Sequence, residues 1–259
     1  MEAREPKEDV VNTPLTDADW GEWQEFVSAN FGAQLTSESL ASFKTLLTEL
    51  KDWNSKINLI APSTDKKIIW RHFADSLAGL KYIEEHKPAD SPRIADIGTG
   101  AGFPGLPVSI AARYGELTLV ESITKKTNFI AHIKEKLGLS LNIINDRVET
   151  VGQDKAHRGT YDFVLSRAVS KLSPNLEIAL PLLKTGGYAL IYKTERSASD
   201  EELGLAAKAL KALNGEFYEK FCYTIPYEEL SYCVVAFRKT GPTPPAYPRR
   251  QGTPEKKPL

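Results

Sequence analysis

A short apolar segment followed by a glycine-rich turn constrains the fold of this chain more than any other feature. The apolar segment ends at Asp96, and four glycines then fall within eight positions, from Gly98 to Gly105. Glycine lacks a Cβ atom, so this turn can bend sharply and approach a ligand closely. A second apolar segment, residues 117–120, ends in Glu121, whose carboxylate can accept hydrogen bonds from ribose hydroxyls. Together these features predict a nucleoside-binding site on a doubly wound sheet.

Apolar strand patterns alternate with helical patterns through the middle of the chain. Strands are predicted at residues 93–97, 117–121, 141–145, 161–166 and 187–193. Alternation of this kind indicates a parallel sheet with helices on both faces. Residues 217–224 and 231–238 are β-rich and joined by a short loop, so they form a hairpin and one terminal strand runs antiparallel. The predicted fold is α/β, with a mostly parallel seven-stranded sheet and a terminal antiparallel hairpin.

Helical signals surround this sheet. Thr36 is placed to cap an amphipathic helix, and a second helix begins near Ser63 and closes before Pro88. Ser173 is expected to cap a later helix, and Pro181 predicts a break or an early end in it. The chain is therefore divided into four parts. These are a disordered tail at 1–16, a helical cap at 17–90, a ligand-binding domain at 91–240 and an extended, basic, Pro-rich tail at 241–259.

Composition limits the classes of partner. With 259 residues and a formal net charge of −1, the chain cannot attract nucleic acid by bulk charge and needs a local basic patch. Its amino terminus lacks the apolar core of a secretion signal, and no apolar run is long enough to cross a bilayer. Cys222 and Cys233 are expected to be reduced, buried residues of a cytosolic protein, although a cross-strand pair stays open. Because there is no Cys/His cluster, no metal is predicted.

Two ligand classes fit the glycine turn. The segment from Gly100 to Gly105 matches the dinucleotide pattern, which alone is weak support for an NAD(P)-dependent oxidoreductase. Asp96 would repel a pyrophosphate, and Pro104 removes one amide that could bind it. S-adenosylmethionine carries an ammonium, a sulfonium and a ribose but no phosphate. The turn therefore favours this methyl donor, with Asp96 near its cationic end and Glu121 on its ribose.

Seven short motifs, in order, resemble one enzyme family from about residue 35 to the end of the chain. They are Trp53-Asn54-x-x-x-Asn58-Leu59, Arg71-His72-x-x-Asp75-Ser76-Leu77, the Asp96–Gly105 turn, Glu121-Ser122-x-x-Lys125-Lys126, Arg147-Val148-Glu149, Ser166-Arg167-Ala168 and Tyr247-Pro248-Arg249-Arg250. Together they resemble ribosomal RNA small subunit methyltransferase G, also called the glucose-inhibited division protein B family.

The resemblance implies a class I methyltransferase, Rossmann-like fold and S-adenosylmethionine as cofactor. It also implies a cytoplasmic enzyme that methylates N7 of one guanine in 16S rRNA of the 30S subunit. Donor-binding positions carried over from the family are Gly98, Phe103, Val148, Glu149 and Arg167. Gly100, in the same glycine turn, is assigned to the donor site as well. Glu149 could equally be a charge at the start of a helix. Guanine N7 has a free lone pair, so no catalytic acid or base is nominated.

Several basic residues are candidates for the RNA substrate. Arg167 is predicted to contact the guanine or the donor carboxylate, or else to pair with Asp162 or Glu149. Arg71 and Lys193 are placed to meet the RNA, although Lys193 could also be a solvated strand end, whereas His72 and Asp75 are expected to join the helical cap to the core. Docking of the RNA is assigned to Arg249 and Arg250, and weakly to Lys125 and Lys126.

The chain is expected to be a monomer without a membrane partner. A non-catalytic RNA-binding module and a methyltransferase of another substrate are the remaining alternatives.

Overall fold

A seven-stranded sheet forms the centre of the computed structural model, which describes residues 13–88, 91–114, 116–167 and 169–259. The strands are β1 (Arg93–Ile97), β2 (Glu116–Val120), β3 (Leu141–Ile144), β4 (Tyr161–Arg167), β5 (Leu183–Thr194), β6 (Gly215–Thr224) and β7 (Ser231–Lys239). Their order is β3-β2-β1-β4-β5-β7-β6. The first five run parallel, and β7 is antiparallel to both β5 and β6. The predicted α/β sheet and its terminal hairpin are confirmed.

Helices cover both faces of this sheet. They are α1 (Asp17–Phe31), α2 (Ser37–Asn54), α3 (Asp65–Ile68), α4 (Asp75–Leu77), α5 (Leu80–His86), α6 (Gly105–Ala112), α7 (Thr124–Leu137), α8 (Val148–Gln153), α9 (Leu172–Ala179), α10 (Asp200–Leu213) and α11 (Thr253–Lys256). Successive residues of a strand face opposite sides, so Phe163 joins the apolar cluster on the α1–α7 side and Val164 joins the cluster around α8–α10. In the described part of the chain, no helix is long and apolar enough to cross a membrane.

The N-terminal helices pack on one face of the sheet through a shared apolar cluster. Trp23 of α1 is fully buried, and its indole Nε1 donates to the Ile69 carbonyl at 2.9 Å. Thr36 caps α2 as predicted, accepting from the Ser39 amide at 3.1 Å. Most of the tail predicted at residues 1–16 lies outside the described residues. Thr16, however, is part of the folded structure, because it forms a capping box with Asp19 at the start of α1.

The second predicted helix is interrupted. Thr64 rather than Ser63 caps α3, and the chain then forms a π-helical turn from Ile69 to Ala74 before α4 begins. A π turn widens the helix at one point and is frequent at functional sites. Arg167, from the end of β4, donates to backbone oxygens within this turn. The irregular turn therefore lies directly against the carboxyl edge of the sheet.

The start of α9 differs from its prediction. The helix begins at Leu172, so Pro174 occupies its third position, where a missing amide is tolerated. The Ser173 side chain does not cap this helix. Instead, the Glu202 carboxylate accepts a hydrogen bond from the Leu172 amide at 2.9 Å. The helix gives way at Leu180 to a short 3₁₀ turn that contains Pro181, as the proline predicted.

The two cysteines lie directly opposite each other in the β6–β7 register. Their sulfurs are joined as a disulfide. The prediction that both cysteines are reduced is therefore wrong. The alternative that the sequence left open, a cross-strand disulfide, is the one present in the structure. Direct opposition of two strand residues brings their Cβ atoms within the reach of a disulfide.

Residues 241–259 do not form an extended tail. The Arg158 guanidinium donates to the carbonyls of Thr243 and Tyr247 at 2.8 and 2.6 Å. The Gln153 amide donates to the Pro248 carbonyl at 2.8 Å. Since side chains from α8 and the following loop satisfy its backbone oxygens, this segment folds back onto the domain despite its prolines and few apolar groups.

Candidate donor and substrate sites

The turn after β1 is built around the buried carboxylate of Asp96. Its Oδ2 accepts from the Thr99 hydroxyl at 2.5 Å and from the Gly105 amide at 2.7 Å, and its Oδ1 has no hydrogen-bond partner among the described residues. Burial raises the pKa of Asp96 to about 7. Asp96 does not line the neighbouring cavity. The carboxylate is therefore used to shape the turn, and its predicted role near the cationic end of the donor stays a prediction.

Two glycines of this turn adopt backbone conformations that side chains rarely take. Gly98 and Gly100 have φ of +63° and +62°. A Cβ atom on Gly98 would lie 2.7 Å from Cγ2 of Val169, whereas one on Gly100 would meet nothing within 4 Å. Gly98 is therefore the position of close approach. Gly100 contributes through its amide, which donates to Glu121 Oε2 at 3.0 Å.

Glu121 follows β2 and faces the glycine turn. Its second oxygen, Oε1, accepts from the Ile123 amide at 2.8 Å. The side chain is nearly buried, yet it lines the cavity. Each carboxylate oxygen has two acceptor sites, so both can accept a further hydrogen bond. This geometry fits the predicted contact between Glu121 and ribose hydroxyls.

A cavity of about 200 Å³ opens at the carboxyl edge of β1 and β2. We call it the donor cavity. Its lining residues are Gly98, Val120, Glu121, Ser122, Asp146, Arg147, Val148, Glu149, Val169, Ser170, Pro174, Ile178, Pro254 and Glu255.

The structure brings together Gly98, Glu121, Val148 and Glu149 of the predicted donor-binding set. Asp96, Gly100, Phe103 and Arg167 do not line this cavity. Asp146 also lines the cavity although it was not predicted; its position just after β3 is the signal that could have found it, since the carboxyl ends of parallel strands line the ligand crevice. The wall formed by α9 and α11 was not predicted either, and no local sequence signal points to it.

Phe103 lies on the side of the N-terminal helices. Its ring stacks on His72 with centroids 5.3 Å apart, and the Arg167 guanidinium lies 6.0 Å from its centroid. Phe103, carried over as a donor-binding position, therefore does not lie on the donor cavity. It lies instead beside Arg167, which lines a second cavity.

This second cavity, of about 360 Å³, lies beside the donor cavity, and we call it the substrate cavity. It is lined by Arg71, Asp75, Arg167, Val169, Ser170, Tyr192, Lys193, Thr194, Ser197 and Tyr232. Val169 and Ser170 line both cavities. Three residues predicted to face the substrate, Arg71, Arg167 and Lys193, therefore lie together here.

Arg167 pairs with neither of the acids proposed from the sequence. Its Nε lies 3.0 Å from Asp75 Oδ2, and its Nη2 donates to the Arg71 carbonyl at 2.9 Å. Asp162 instead pairs with Lys184 at 2.7 Å, and Glu149 accepts from the Gly252 amide at 2.8 Å. Arg167 is thus held against the N-terminal helices, with part of its guanidinium facing the substrate cavity.

His72 and Asp75 join the helical cap to the core, as expected. Asp75 Oδ1 accepts from the Tyr223 hydroxyl at 2.6 Å, in addition to the contact with Arg167. Burial raises the pKa of Asp75. Burial and the nearby Arg167 lower the pKa of His72 to about 3, so its imidazole is neutral at neutral pH.

Lys193 ends near the boundary of the two cavities. Its Nζ donates to the Ser170 carbonyl, and burial lowers the pKa of this amine. The side chain is partly buried rather than a solvated strand end. Arg71, by contrast, is exposed. The positive side chains at the substrate cavity are therefore one exposed guanidinium, one anchored guanidinium and one partly buried ammonium.

The residues predicted to dock RNA occupy different environments. Arg249 is not free: its backbone N and Nε donate to Glu177 Oε1 at 2.9 and 2.8 Å, and its Nη2 donates to Oε2 at 2.6 Å. This corrects the expectation of an open basic tail, because the buried carboxylate of Glu177 needs a positive partner. Arg250 is exposed, whereas Lys125 and Lys126 line a shallow cavity at the start of α7.

The amides of the glycine turn discriminate between the two ligand classes. Five of them already donate within the protein, namely those of Gly100, Gly102, Phe103, Gly105 and Leu106. Pro104 has no amide. A pyrophosphate needs free amides at a helix start, and here the first amide of α6 is used by Asp96. The turn therefore fits a donor without phosphate.

The strand order, with β7 inserted antiparallel between β5 and β6, and the site after β1 define a Rossmann-like methyltransferase. The chain belongs to the GidB family, described as rRNA small subunit methyltransferase G, whose model matches residues 39–222. It is therefore a methyltransferase, and its methyl donor is S-adenosylmethionine. This outcome excludes the oxidoreductase alternative.

Individual relatives agree with this assignment. Ribosomal RNA small subunit methyltransferase G of Listeria monocytogenes serotype 4b is 38% identical over 232 residues, which cover 89% of this chain and 95% of that protein. The protein of the same name from Bacillus cereus is 38% identical over 229 residues, covering 88% and 94%. Among solved structures, the [4+2]-cyclase SpnF is similar in fold alone, with a TM-score of 0.51 and 13% identity over 81% of this chain and 98% of that one.

Proposed function

We propose that this enzyme transfers a methyl group from S-adenosylmethionine to N7 of one guanine in 16S rRNA of the small ribosomal subunit. The observation that carries the proposal is the junction of two cavities at Val169 and Ser170. One cavity has the carboxylate and close-approach glycine that suit the donor. The other has the cationic side chains that suit a nucleic acid base. Both relatives described above carry the name ribosomal RNA small subunit methyltransferase G.

The reaction requires the protein to align the guanine with the methyl donor, and it does not require a proton transfer. S-adenosylmethionine supplies an electrophilic methyl group on its sulfonium. Guanine N7 carries an in-plane lone pair and bears no proton, so it needs no general base. The protein must hold the base edge toward Val169 and Ser170 and exclude water from that boundary. His72, whose ring contacts the cavity residue Arg167, is neutral at pH 7, in keeping with a reaction that requires no base.

Guanine selection is assigned to the cations at the substrate cavity. Arginine and lysine are the usual hydrogen-bond partners of guanine O6. Lys193 lies beside Ser170 and therefore beside the transfer boundary. Arg167 is fixed in position by Asp75 and by the π turn, which use its N–H groups, so it offers the cavity a fixed positive charge and the face of its guanidinium rather than free donors. These two residues are proposed to hold the guanine.

The rest of the RNA is proposed to dock on exposed basic residues. A base stacked within an RNA helix cannot enter the substrate cavity, so the target guanine must be splayed out. Arg71 at the cavity rim, Arg250, and the pair Lys125 and Lys126 can contact phosphates, which position the strand without reading its sequence. We further propose that the enzyme acts in the cytoplasm as a monomer on the 30S subunit, without a metal.

A transfer assay tests the proposal. The purified protein is incubated with methyl-labelled S-adenosylmethionine and 30S subunits from a bacterium lacking this methylation, and the RNA is digested to nucleosides. The expected product is 7-methylguanosine from a single 16S rRNA site. Donor binding without transfer to any ribosomal RNA would support an inactive RNA-binding module or a methyltransferase of another substrate.

A further inference from the structure

The C-terminal segment forms part of the donor cavity. Pro254 and Glu255, both in α11, line it together with Gly98, Glu121 and Val148. Pro254 is buried although it lies only a few residues from the end of the chain. We call residues 249–259 the C-terminal strap. Nothing in the donor-binding motifs of the sequence points to it, since it lies about a hundred positions beyond them.

One buried ion pair anchors the strap. Glu177 is completely buried in α9, and both of its carboxylate oxygens accept hydrogen bonds from Arg249 at 2.6–2.9 Å. The same helix supplies Pro174 and Ile178 to the cavity wall. A buried carboxylate without a cation is strongly unfavourable. The pairing of Glu177 with Arg249 therefore holds the strap in this position.

A second set of contacts holds the strap beyond Arg249. Glu149, itself a cavity residue, accepts from the Gly252 amide at 2.8 Å through Oε1. Arg249 Nη2 also donates to the Lys257 carbonyl at 2.7 Å, which fixes the far end of α11. The Ser173 hydroxyl donates to the Leu259 carbonyl at 3.3 Å. These contacts bracket Pro254 and Glu255 on both sides.

We propose that the C-terminal strap is an obligatory wall of the S-adenosylmethionine site, and that Arg249 is a positioning residue that holds this wall through Glu177. The proposal rests on the donor assigned above. It also replaces the role expected for Arg249 from the sequence, because the side chain that was expected to meet RNA acts on the donor side instead. Its exposed neighbour Arg250 is left for the RNA.

Two adjacent arginines provide a matched test. Arg249→Ala and Arg250→Ala each remove one positive charge from the same segment, but only the first breaks the contact with Glu177. Donor affinity is measured by calorimetry, and the KM values for donor and for 30S subunits are measured separately. We expect Arg249→Ala to weaken donor binding by about tenfold or more and to raise the donor KM, since it removes charged hydrogen bonds. Arg250→Ala should leave the donor dissociation constant unchanged, and Arg249→Lys should recover part of the affinity.

A truncation guards against simple unfolding of Arg249→Ala. A chain that ends at residue 251 keeps both Arg249 and Glu177 but lacks Pro254 and Glu255. We expect it to retain a cooperative thermal transition and to bind the donor about tenfold or more weakly. If the folded truncation binds donor as tightly as the full chain, the strap is no wall of the site and the proposal is overturned. If instead the full chain itself binds no S-adenosylmethionine, it is the proposed function that fails.

Discussion

Arg167 and Asp75 form an ion pair across the junction of β4 and the N-terminal helices, with Nε 3.0 Å from Oδ2 and side-chain exposures of only 14% and 4%. Asp75 also accepts from Tyr223 of β6, so one carboxylate ties the sheet to the helical cap from two sides. Because its N–H groups are also used by the π turn, Arg167 is a rigid wall of the substrate cavity rather than a mobile clamp.

Removal of Asp75 is expected to destabilise the fold strongly. Asp75→Ala leaves the Arg167 guanidinium buried without its anion, and breaking a buried pair from one side costs about 3–5 kcal/mol. Denaturant unfolding measures this cost. The control is Asp52→Ala, which breaks a pair between Lys56 and Asp52 that is more than half exposed and is expected to cost about 0–1 kcal/mol. Equal destabilisation of the two variants would show that the buried pair has no special weight.

Gly98→Val is expected to abolish donor binding. The substitution places a β-branched side chain at φ +63° and drives its Cβ to 2.7 Å from Val169, in the wall that both cavities share. Gly100→Ala is the control, because it imposes a similar backbone strain but its Cβ meets no atom within 4 Å. Calorimetry on folded variants should show a much larger effect for Gly98→Val. Unchanged donor affinity in that variant would remove Gly98 from the site.

The stability of the protein should depend on pH through Asp96. Burial raises the pKa of Asp96 from 3.8 to about 7, so between these values the folded state keeps a proton that the unfolded state releases. Its contribution to stability is present below pH 3.8 and is lost as the pH rises to about 7. Each unit of pKa difference corresponds to about 1.4 kcal/mol.

Asp96→Asn removes this titration while retaining an acceptor oxygen for the Gly105 amide. The free energies of unfolding of the variant and the parent protein are measured between the two pKa values of Asp96. As the pH rises across this range, the free energy of unfolding of the parent protein should fall relative to that of Asp96→Asn. The readout is the change with pH and not the absolute stability. Asp52→Asn controls for removal of an exposed carboxylate. A constant difference between Asp96→Asn and the parent protein would contradict the raised pKa.

RNA affinity is expected to fall with salt, because basic side chains that contact phosphates release counterions from the RNA. Arg250→Ala should lower the slope of log affinity against log salt by about one for each phosphate that Arg250 neutralises. Arg249→Ala should leave this slope nearly unchanged, since its guanidinium is already paired with Glu177. Filter binding to 30S subunits over a salt series measures both. An equal reduction of the slope in the two variants would show that Arg249 also contacts RNA phosphates.

Local sequence patterns determined the sheet and the part of the donor cavity that lies at the strand ends. The order of strands and helices follows from apolar periodicity, and α7 ends at Gly138 because glycine adopts the left-handed conformation found there. Gly98, Glu121 and Val148 follow three successive parallel strands, and the carboxyl ends of parallel strands meet at one edge. Their proximity could therefore be predicted from their positions alone.

Only the tertiary structure decided which charges meet. Arg167 pairs with Asp75, and Arg249 with Glu177, across separations that no periodicity encodes. The partner of a charged side chain depends on which elements pack together, and several acids were equally available to each arginine in the sequence. For the same reason a proline-rich basic segment, which by composition resembles an extended tail, becomes a wall of the donor cavity once Arg158, Gln153 and Glu149 satisfy its backbone.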